Sequence, residues 1–101
     1  MRKITTQASQ ALKNWQHFNL SNTLVSFEHW VWGMELHGNH IASYNKENKK
    51  LLVRDAWRQT NTTKERLNGI LIAFWLPTIY QKNFEWFIWD EKRNWEKIFE
   101  L

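Results

Sequence analysis

The chain is 101 residues long, 43% hydrophobic and 24% charged, with a formal charge of +4 and no cysteine. That composition suits one globular domain with a real but thin core, and it excludes a disulfide framework, a thiolate nucleophile and a cysteine-ligated zinc. No apolar stretch approaches the roughly 20 residues that span a bilayer. The first residues, "MRKITTQASQ", have no apolar segment behind their basic pair, so no membrane partner is expected and a reducing cytoplasm is the expected setting.

Residues 6–18 predict a helix. Ala8, Ala11, Leu12 and Trp15 fall at i, i+3, i+4 and i+7, with Lys13, Asn14 and Gln16 on the other face. "NLSN" (19–22) reads as a turn. From Thr23 the period becomes two, with β-branched and aromatic residues and with Trp30 and Trp32 on one face. The run "TLVSFEHWVWGMEL" is too long for one strand, which places a break or bulge near Glu28-His29 or at Gly33. "HGNH" (37–40) contains a turn signal, "IASYN" returns, "KENKK" is a solvated charged turn, and "LLVRDAW" is a further strand. The result is an antiparallel meander over 23–56.

Thr62-Thr63-Lys64-Glu65 fits a capping box, with a threonine hydroxyl accepting from a backbone N–H near Glu65 and the Glu65 carboxylate reaching back. Leu67, Ile70, Leu71, Phe74 and Trp75 then form an apolar stripe, and Ile72, Ala73 and Leu76 widen it towards a stop at Pro77. This predicts a helix over 62–76 with Thr62, Thr63 and Glu65 as its cap. Residues 84–89 are apolar on both faces, which suits a central strand or one whose second face meets another molecule, a second copy included. "WEKIFEL" is a short final strand or a helical turn. The expected architecture is one α+β domain over 1–101: a small antiparallel meander forming one sheet with the strand at 84–89, a central helix packed across it, and an N-terminal helix.

Three constellations bear on chemistry. Glu35, His37 and His40, with His29 nearby, have ligand types suited to zinc, but a polar hairpin rim explains them as well, and no metal or cofactor is expected. Asp55 near His37 is a conceivable acid–base pair that no spacing requires. There is no glycine-rich phosphate loop, and no enzyme activity is expected. The start of the helix at 62 could attract an anion through its free N–H groups, Lys64 and Arg66, although a capping box would satisfy those donors.

The eight tryptophans are the unusual feature. Most follow strand or helix periods and read as core, but a buried indole needs a partner for its N–H, and a thin core cannot easily enclose eight. Some of Trp30, Trp32, Trp86, Trp89 and Trp95 are therefore expected at a recognising surface. The basic excess lies entirely before residue 62, where eight basic residues face four acidic ones, including Lys49, Lys50, Arg54 and Arg58. A basic surface with aromatics also suits nucleic acid.

"LHGNHIA" (36–42), "LLVRDAWRQTNTTKERLNGIL" (51–71) and "IYQKNFEWFI" (79–88) resemble a family of small uncharacterised phage and mobile-element proteins. The likeness covers residues 33–90 and rests most on the threonine-lysine-arginine-asparagine stretch; it picks out His37, Trp57, Thr60, Thr62, Thr63, Lys64, Arg66, Leu67 and Asn68. Ala56 stands where many of the resembling proteins have glycine. The resemblance implies a phage origin and no established activity. It leads to the expectation of a non-catalytic binding protein in the host cytoplasm. Its partner would be a host protein or protein–nucleic-acid complex, as for an anti-CRISPR-like inhibitor of a defence complex. Direct binding of single-stranded nucleic acid and a homodimeric assembly role are the alternatives. The expected contact residues are Trp30, Trp32, Lys49, Lys50, Arg54, Arg58, Lys64, Arg66, Trp86 and Trp89.

Overall fold

The computed structural model describes residues 1–88, 91, 92 and 96–101. Its first element is helix α1 (Lys3–Lys13), whose inward face is Thr5, Ala8, Ser9, Ala11 and Leu12. The helix starts three residues before the expected 6–18 and stops well short of its end. The reason is a backbone lock: the Gln16 N–H bonds the Ala11 carbonyl at 2.9 Å and the Trp15 N–H bonds that of Leu12 at 3.5 Å. This is the Schellman arrangement, with its C′ residue left-handed, and here that residue is Trp15, φ 56°. Trp15 thus leaves the apolar stripe and turns outward. Residues 19–22, expected as a turn, divide between strand β1 (Phe18–Leu20) and the link Ser21-Asn22.

Strands β2 (Thr23–Glu28), β3 (Val31–Leu36), β4 (Asn39–Asn45) and β5 (Lys50–Arg54) form the expected antiparallel meander. The expected break after Glu28 is the two-residue turn His29-Trp30, and the next turn is His37-Gly38. Both residues of each turn have positive φ, as type I′ geometry requires. On β3, Trp32, Met34 and Leu36 point into the core. A bulge lies opposite Met34-Glu35, where Ala42 pairs Met34 but His40 pairs Glu35. Ile41 is the extra residue, so Ile41 and Ala42 are both buried.

Helix α2 (Asn61–Ala73) crosses this sheet beside α1, with α1 over β1, β2 and β3 and α2 over β4. Its cap lies two residues earlier than the sequence spacing indicates. Thr60 is the N-cap, and its hydroxyl accepts from the Thr63 N–H at 3.1 Å. Thr63 therefore donates to the cap, Thr62 does not cap, and Glu65 is engaged elsewhere. Thr60→Ala should lower the free energy of unfolding by about 1 kcal/mol in urea titrations, whereas Thr62→Ala should leave it nearly unchanged. The other end repeats the α1 ending: Leu76 N–H to Leu71 carbonyl at 2.8 Å and Trp75 N–H to Ile72 carbonyl at 3.0 Å, with Trp75 left-handed at φ 62°. Leu67, Ile70, Leu71 and Phe74 are buried as expected; Ile72 and Trp75 are not.

The end of the chain departs most from expectation. Residues 84–88 do not join the main sheet, and Trp89, the last residue of the expected strand, lies outside the described residues. Strands β6 (Tyr80–Lys82), β7 (Glu85–Ile88) and β8 (Glu91–Lys92) form a separate three-stranded sheet, and β9 (Glu96–Glu100) takes the place beside β5. The main sheet therefore has six strands in the order β1-β2-β3-β4-β5-β9. Asn83-Phe84, another turn with both φ positive, divides the apolar run. Trp86 and Ile88 enter the same core as the α2 residues, while Phe87 stacks on Tyr80 at 5.5 Å. Trp86 and Ile88 thus fill one face of the strand with core packing, and Phe87 meets Tyr80 on the other. Each such buried large side chain stabilises the fold by roughly 1.5–3 kcal/mol.

Two side chains of α2 bind the layers together. Asn68 exchanges two hydrogen bonds with the backbone of Ile79: Nδ2 donates to its carbonyl at 3.2 Å and Oδ1 accepts from its N–H at 2.7 Å. The amide acts as a short strand partner and fixes the start of the second sheet to the helix. Arg66, only 1% exposed, donates through Nε to Thr23 Oγ1 at 3.1 Å. Its Nη1 donates to Thr5 Oγ1 at 2.5 Å and to Glu65 Oε1 at 3.1 Å.

The Thr5 hydroxyl in turn donates to Glu65, which also accepts from Arg2 Nε at 3.2 Å. Thr5 first, then Arg2 and Arg66, hold the Glu65 carboxyl below the usual carboxylate range against the opposing effect of burial. A folded-state value below the unfolded one means that folding favours the ionised form. This contribution is complete above the ordinary carboxylate range and is lost as pH falls through the depressed value. Urea midpoints measured from about pH 7 to about pH 3 should fall on acidification, and Glu65→Gln should flatten that acid limb.

Candidate recognition surface

Seven Phe, Trp and Tyr side chains are exposed among the described residues; Phe27 and Tyr80 lie in strands, and the other five are Trp15, Trp30, Trp57, Trp75 and Phe84, from 46% exposed at Trp15 to 93% at Trp57. All five have left-handed backbones, with φ between 56° and 70°. Trp15 and Trp75 occupy the helix-ending position that favours glycine, and Trp30 and Phe84 the second central position of type I′ turns, which also favours it. Trp57 follows Ala56, φ 52°, in a turn held by Asp55, whose Oδ1 accepts from the Trp57 N–H at 2.9 Å. A left-handed conformation costs a residue with a Cβ about 1–2 kcal/mol, and exposing an indole gives no burial in return. Strain and exposure together are a mark of a functional position.

These side chains gather at two ends of the molecule. α1 and α2 run parallel, since Thr5 meets Glu65 and Arg66 while Lys13 reaches Trp75. Both C-termini lie above the same end of the sheet, with His17 against Trp32 at 4.9 Å and Phe74 against Tyr44 at 4.7 Å. The turns bearing Trp30 and Lys46 leave that end two strand spacings apart, roughly 10 Å. Trp15, Trp30 and Trp75 thus share one end. Lys46 Nζ stands 4.4 Å from the Trp15 ring centroid and Lys13 Nζ 5.9 Å from that of Trp75. At the opposite end, Lys64 Nζ bonds Gln81 Oε1 at 3.4 Å, so β6 runs towards the start of α2, the end of the helix that Trp57 and Arg58 precede, with Phe84 in the turn after it.

Beside Trp57 is a cavity of about 200 Å³ lined by His37, Asn39, Asp55, Ala56, Arg58, Thr60, Thr62 and Thr63, over Leu36 and Ile41. His37, Thr60, Thr62 and Thr63, far apart or adjacent in sequence, therefore meet here. Asp55 and His37 share the cavity, but both Asp55 oxygens are engaged, Oδ1 as above and Oδ2 by Gln59 Nε2 at 3.1 Å.

The expected contact residues divide. Trp30, Lys49, Lys50 and Arg58 are exposed, and Lys50 pairs with Glu100 at 3.7 Å. Arg54 and Lys64 are half-buried. Trp32 packs between His17 and Phe27, Trp86 is 3% exposed and Arg66 is enclosed by its partners, so these three are buried in the fold. Trp89 and Trp95 lie outside the described residues. Trp15, Trp57, Trp75 and Phe84 were not expected to be outside. Asn83 before Phe84 was the one local signal of a left-handed turn; the other three occupy positions usually marked by a glycine that this chain lacks.

The histidines separate as well. His40 lies opposite Glu35 and hydrogen-bonds Ser43 Oγ at 2.7 Å, a contact the bulge at Ile41 permits. Burial, then Arg54, hold its imidazole below the ordinary value, with Glu35 opposing. His37 instead approaches Asn22 Nδ2, at 3.4 Å. Among the described residues, no three His, Asp or Glu side chains come together as metal ligands. No described helix is long and apolar enough to cross a membrane.

No curated protein and no solved structure matches this chain. A family model does, over residues 1–100: the chain belongs to the Kyanoviridae Gp96 protein family, a phage family.

Proposed function

We propose that this phage protein is a non-catalytic binding protein that acts stoichiometrically on a host macromolecule through its exposed aromatic side chains. The observation that supports this most is the set of five exposed aromatics in left-handed turns, each held at a cost to the fold. Tryptophan dominates the energetics of protein interfaces because one side chain supplies a large rigid contact area. Phage origin and the basic surface favour a nucleic-acid-handling target, and inhibition of a host defence complex is the most specific form of this reading. Affinity capture from bacterial host cells should recover a partner at fixed stoichiometry with the wild-type chain, and much less with Trp57→Gly or Trp75→Gly. Recovery of no specific partner, or equal recovery by all three chains, would count against it.

A second reading is single-stranded nucleic acid stacked on the tryptophans. It draws on the lysines placed over Trp15 and Trp75, since paired cations and indoles suit a backbone and its bases. Tryptophan fluorescence titrated with oligonucleotides across a salt series distinguishes the two. Quenching that weakens steeply with salt favours nucleic acid, and no binding at low salt removes it.

A further inference from the structure

The cavity beside Trp57 has a floor and a rim of different chemistry. Buried Leu36 and Ile41, with half-buried Ala56, make the floor apolar, and His37, Asn39, Thr60 and Thr62 make the rim polar. At about 200 Å³ it is smaller than the roughly 300–1,000 Å³ of sites for drug-sized ligands, which leaves room for one heterocycle. The Thr60 hydroxyl is engaged with Thr63, but Thr62 takes no part in the cap and its hydroxyl bonds no described group. Arg58 lines the same cavity, is exposed, and pairs with no described carboxylate. Asp55, the one acid in the lining, is already bonded by the Trp57 N–H and by Gln59. Between Ala56 and Arg58 stands Trp57, its ring 93% exposed.

These features select among occupants. An aliphatic side chain would cover the floor but leave the rim amide and hydroxyl facing it without partners. A bare anion would meet Arg58 but lie against an apolar floor. A nucleotide satisfies both: the base has apolar faces and an edge of donors and acceptors, and its phosphate comes with it. A base paired in a duplex cannot enter, so the base must be unpaired. Electrostatics agree, since α1 and α2 both begin at this end of the molecule and direct their positive ends to it. The Trp15–Trp75 end receives their negative ends.

Resting on the single-strand reading above, we infer that the cavity beside Trp57 is a nucleotide site. One unpaired base lies over Leu36 and Ile41 with its edge on the rim, and its phosphate meets Arg58. In a strand, the neighbouring base stacks on Trp57. A free nucleotide presents the same base and phosphate without reaching that ring.

The test uses the full chain and short fluorescein-labelled single strands of DNA and RNA, read by anisotropy across a salt series. Mononucleotides and an unlabelled duplex serve as competitors. Trp57→Gly and Arg58→Ala should each weaken binding at least tenfold without lowering the unfolding midpoint. Arg58→Ala should also reduce the salt slope by about 1, as for one lost phosphate contact. Thr62→Val, which keeps the shape and removes the hydroxyl, should alter the preference among homopolymer strands and leave the salt slope unchanged. Mononucleotides that displace the strand at similar concentrations assign the site to free nucleotides; displacement only at far higher concentrations assigns it to a strand. Either result agrees with the inference. A duplex that competes as well as a single strand would overturn it. So would binding lost in Trp15→Gly and Trp75→Gly but kept in Trp57→Gly and Arg58→Ala, which would leave the single-strand reading intact. No binding of any oligonucleotide or mononucleotide at low salt would remove both.

Discussion

Replacing Arg66 by leucine is expected to destabilise the protein by about 3 kcal/mol, a large part of the roughly 5–15 kcal/mol that holds a domain of this size. The guanidinium is buried and joins three elements: Thr5 of α1, Glu65 of its own helix and Thr23 of β2. Leucine would fill some of the space but leave two buried hydroxyls short of a donor and remove one cation from Glu65. Arg66→Lys should also lose most of this stability, because one ammonium cannot place donors on Thr23 and Thr5 along the fixed directions of the fork. Urea denaturation read by tryptophan fluorescence measures both. A loss below about 1 kcal/mol, the usual scale of an exposed ion pair, would show that Arg66 is a surface charge after all.

Glycine at the left-handed aromatic positions should have the opposite effect on stability. For Trp57→Gly, Trp30→Gly and Phe84→Gly, relief of the Cβ clash, about 1–2 kcal/mol, opposes the greater freedom of glycine in the unfolded chain, about 0.5–1 kcal/mol. The expected outcome is a folded state as stable as the wild type or up to about 1.5 kcal/mol more stable. Ala56→Gly, which relieves the same strain without removing an aromatic ring, should stabilise without altering binding. The partner affinity of the tryptophan variants should fall by 2 kcal/mol or more per contacting ring, about thirtyfold, as for an interface hot spot. Stability gained where binding is lost identifies residues retained for recognition.

Much of the fold was readable because it rests on local periodicity. The period-two run from Thr23, its break after Glu28 and the stripe of Leu67, Ile70, Leu71 and Phe74 are all properties of neighbouring residues. What was not readable depends on distance along the chain or on left-handed geometry. In sequence Arg66 reads as a cation available for binding because its partners Thr5 and Thr23 lie 61 and 43 residues away. The cap appeared to lie at Thr62 because Thr62-x-x-Glu65 and Thr60-x-x-Thr63 both fit the spacing, and Glu65 was taken by Arg2 and Thr5 instead. Residues 84–89 resembled one central strand because no glycine marks the turn at Asn83-Phe84.

The tryptophans show the same limit. Period and composition indicated that some must be outside, and of those expected there Trp30 is exposed while Trp32 and Trp86 are buried. Among the described residues, Trp57 and Trp75 are the most exposed tryptophans because they occupy positions where the chain turns left-handed without a glycine. A helix-ending or hairpin position is normally recognised by the residue that suits it, and here the residue present is the one that suits it least.

The most direct measurement pairs stability with binding for Trp57→Gly and Trp75→Gly. Each variant would be unfolded in urea and titrated against the partner captured from the host. If the exposed aromatics are held for recognition, each variant is at least as stable as the wild type and binds at least tenfold more weakly. Variants that are less stable and bind equally well would show that these side chains serve the fold, and would contradict the binding function proposed for this protein.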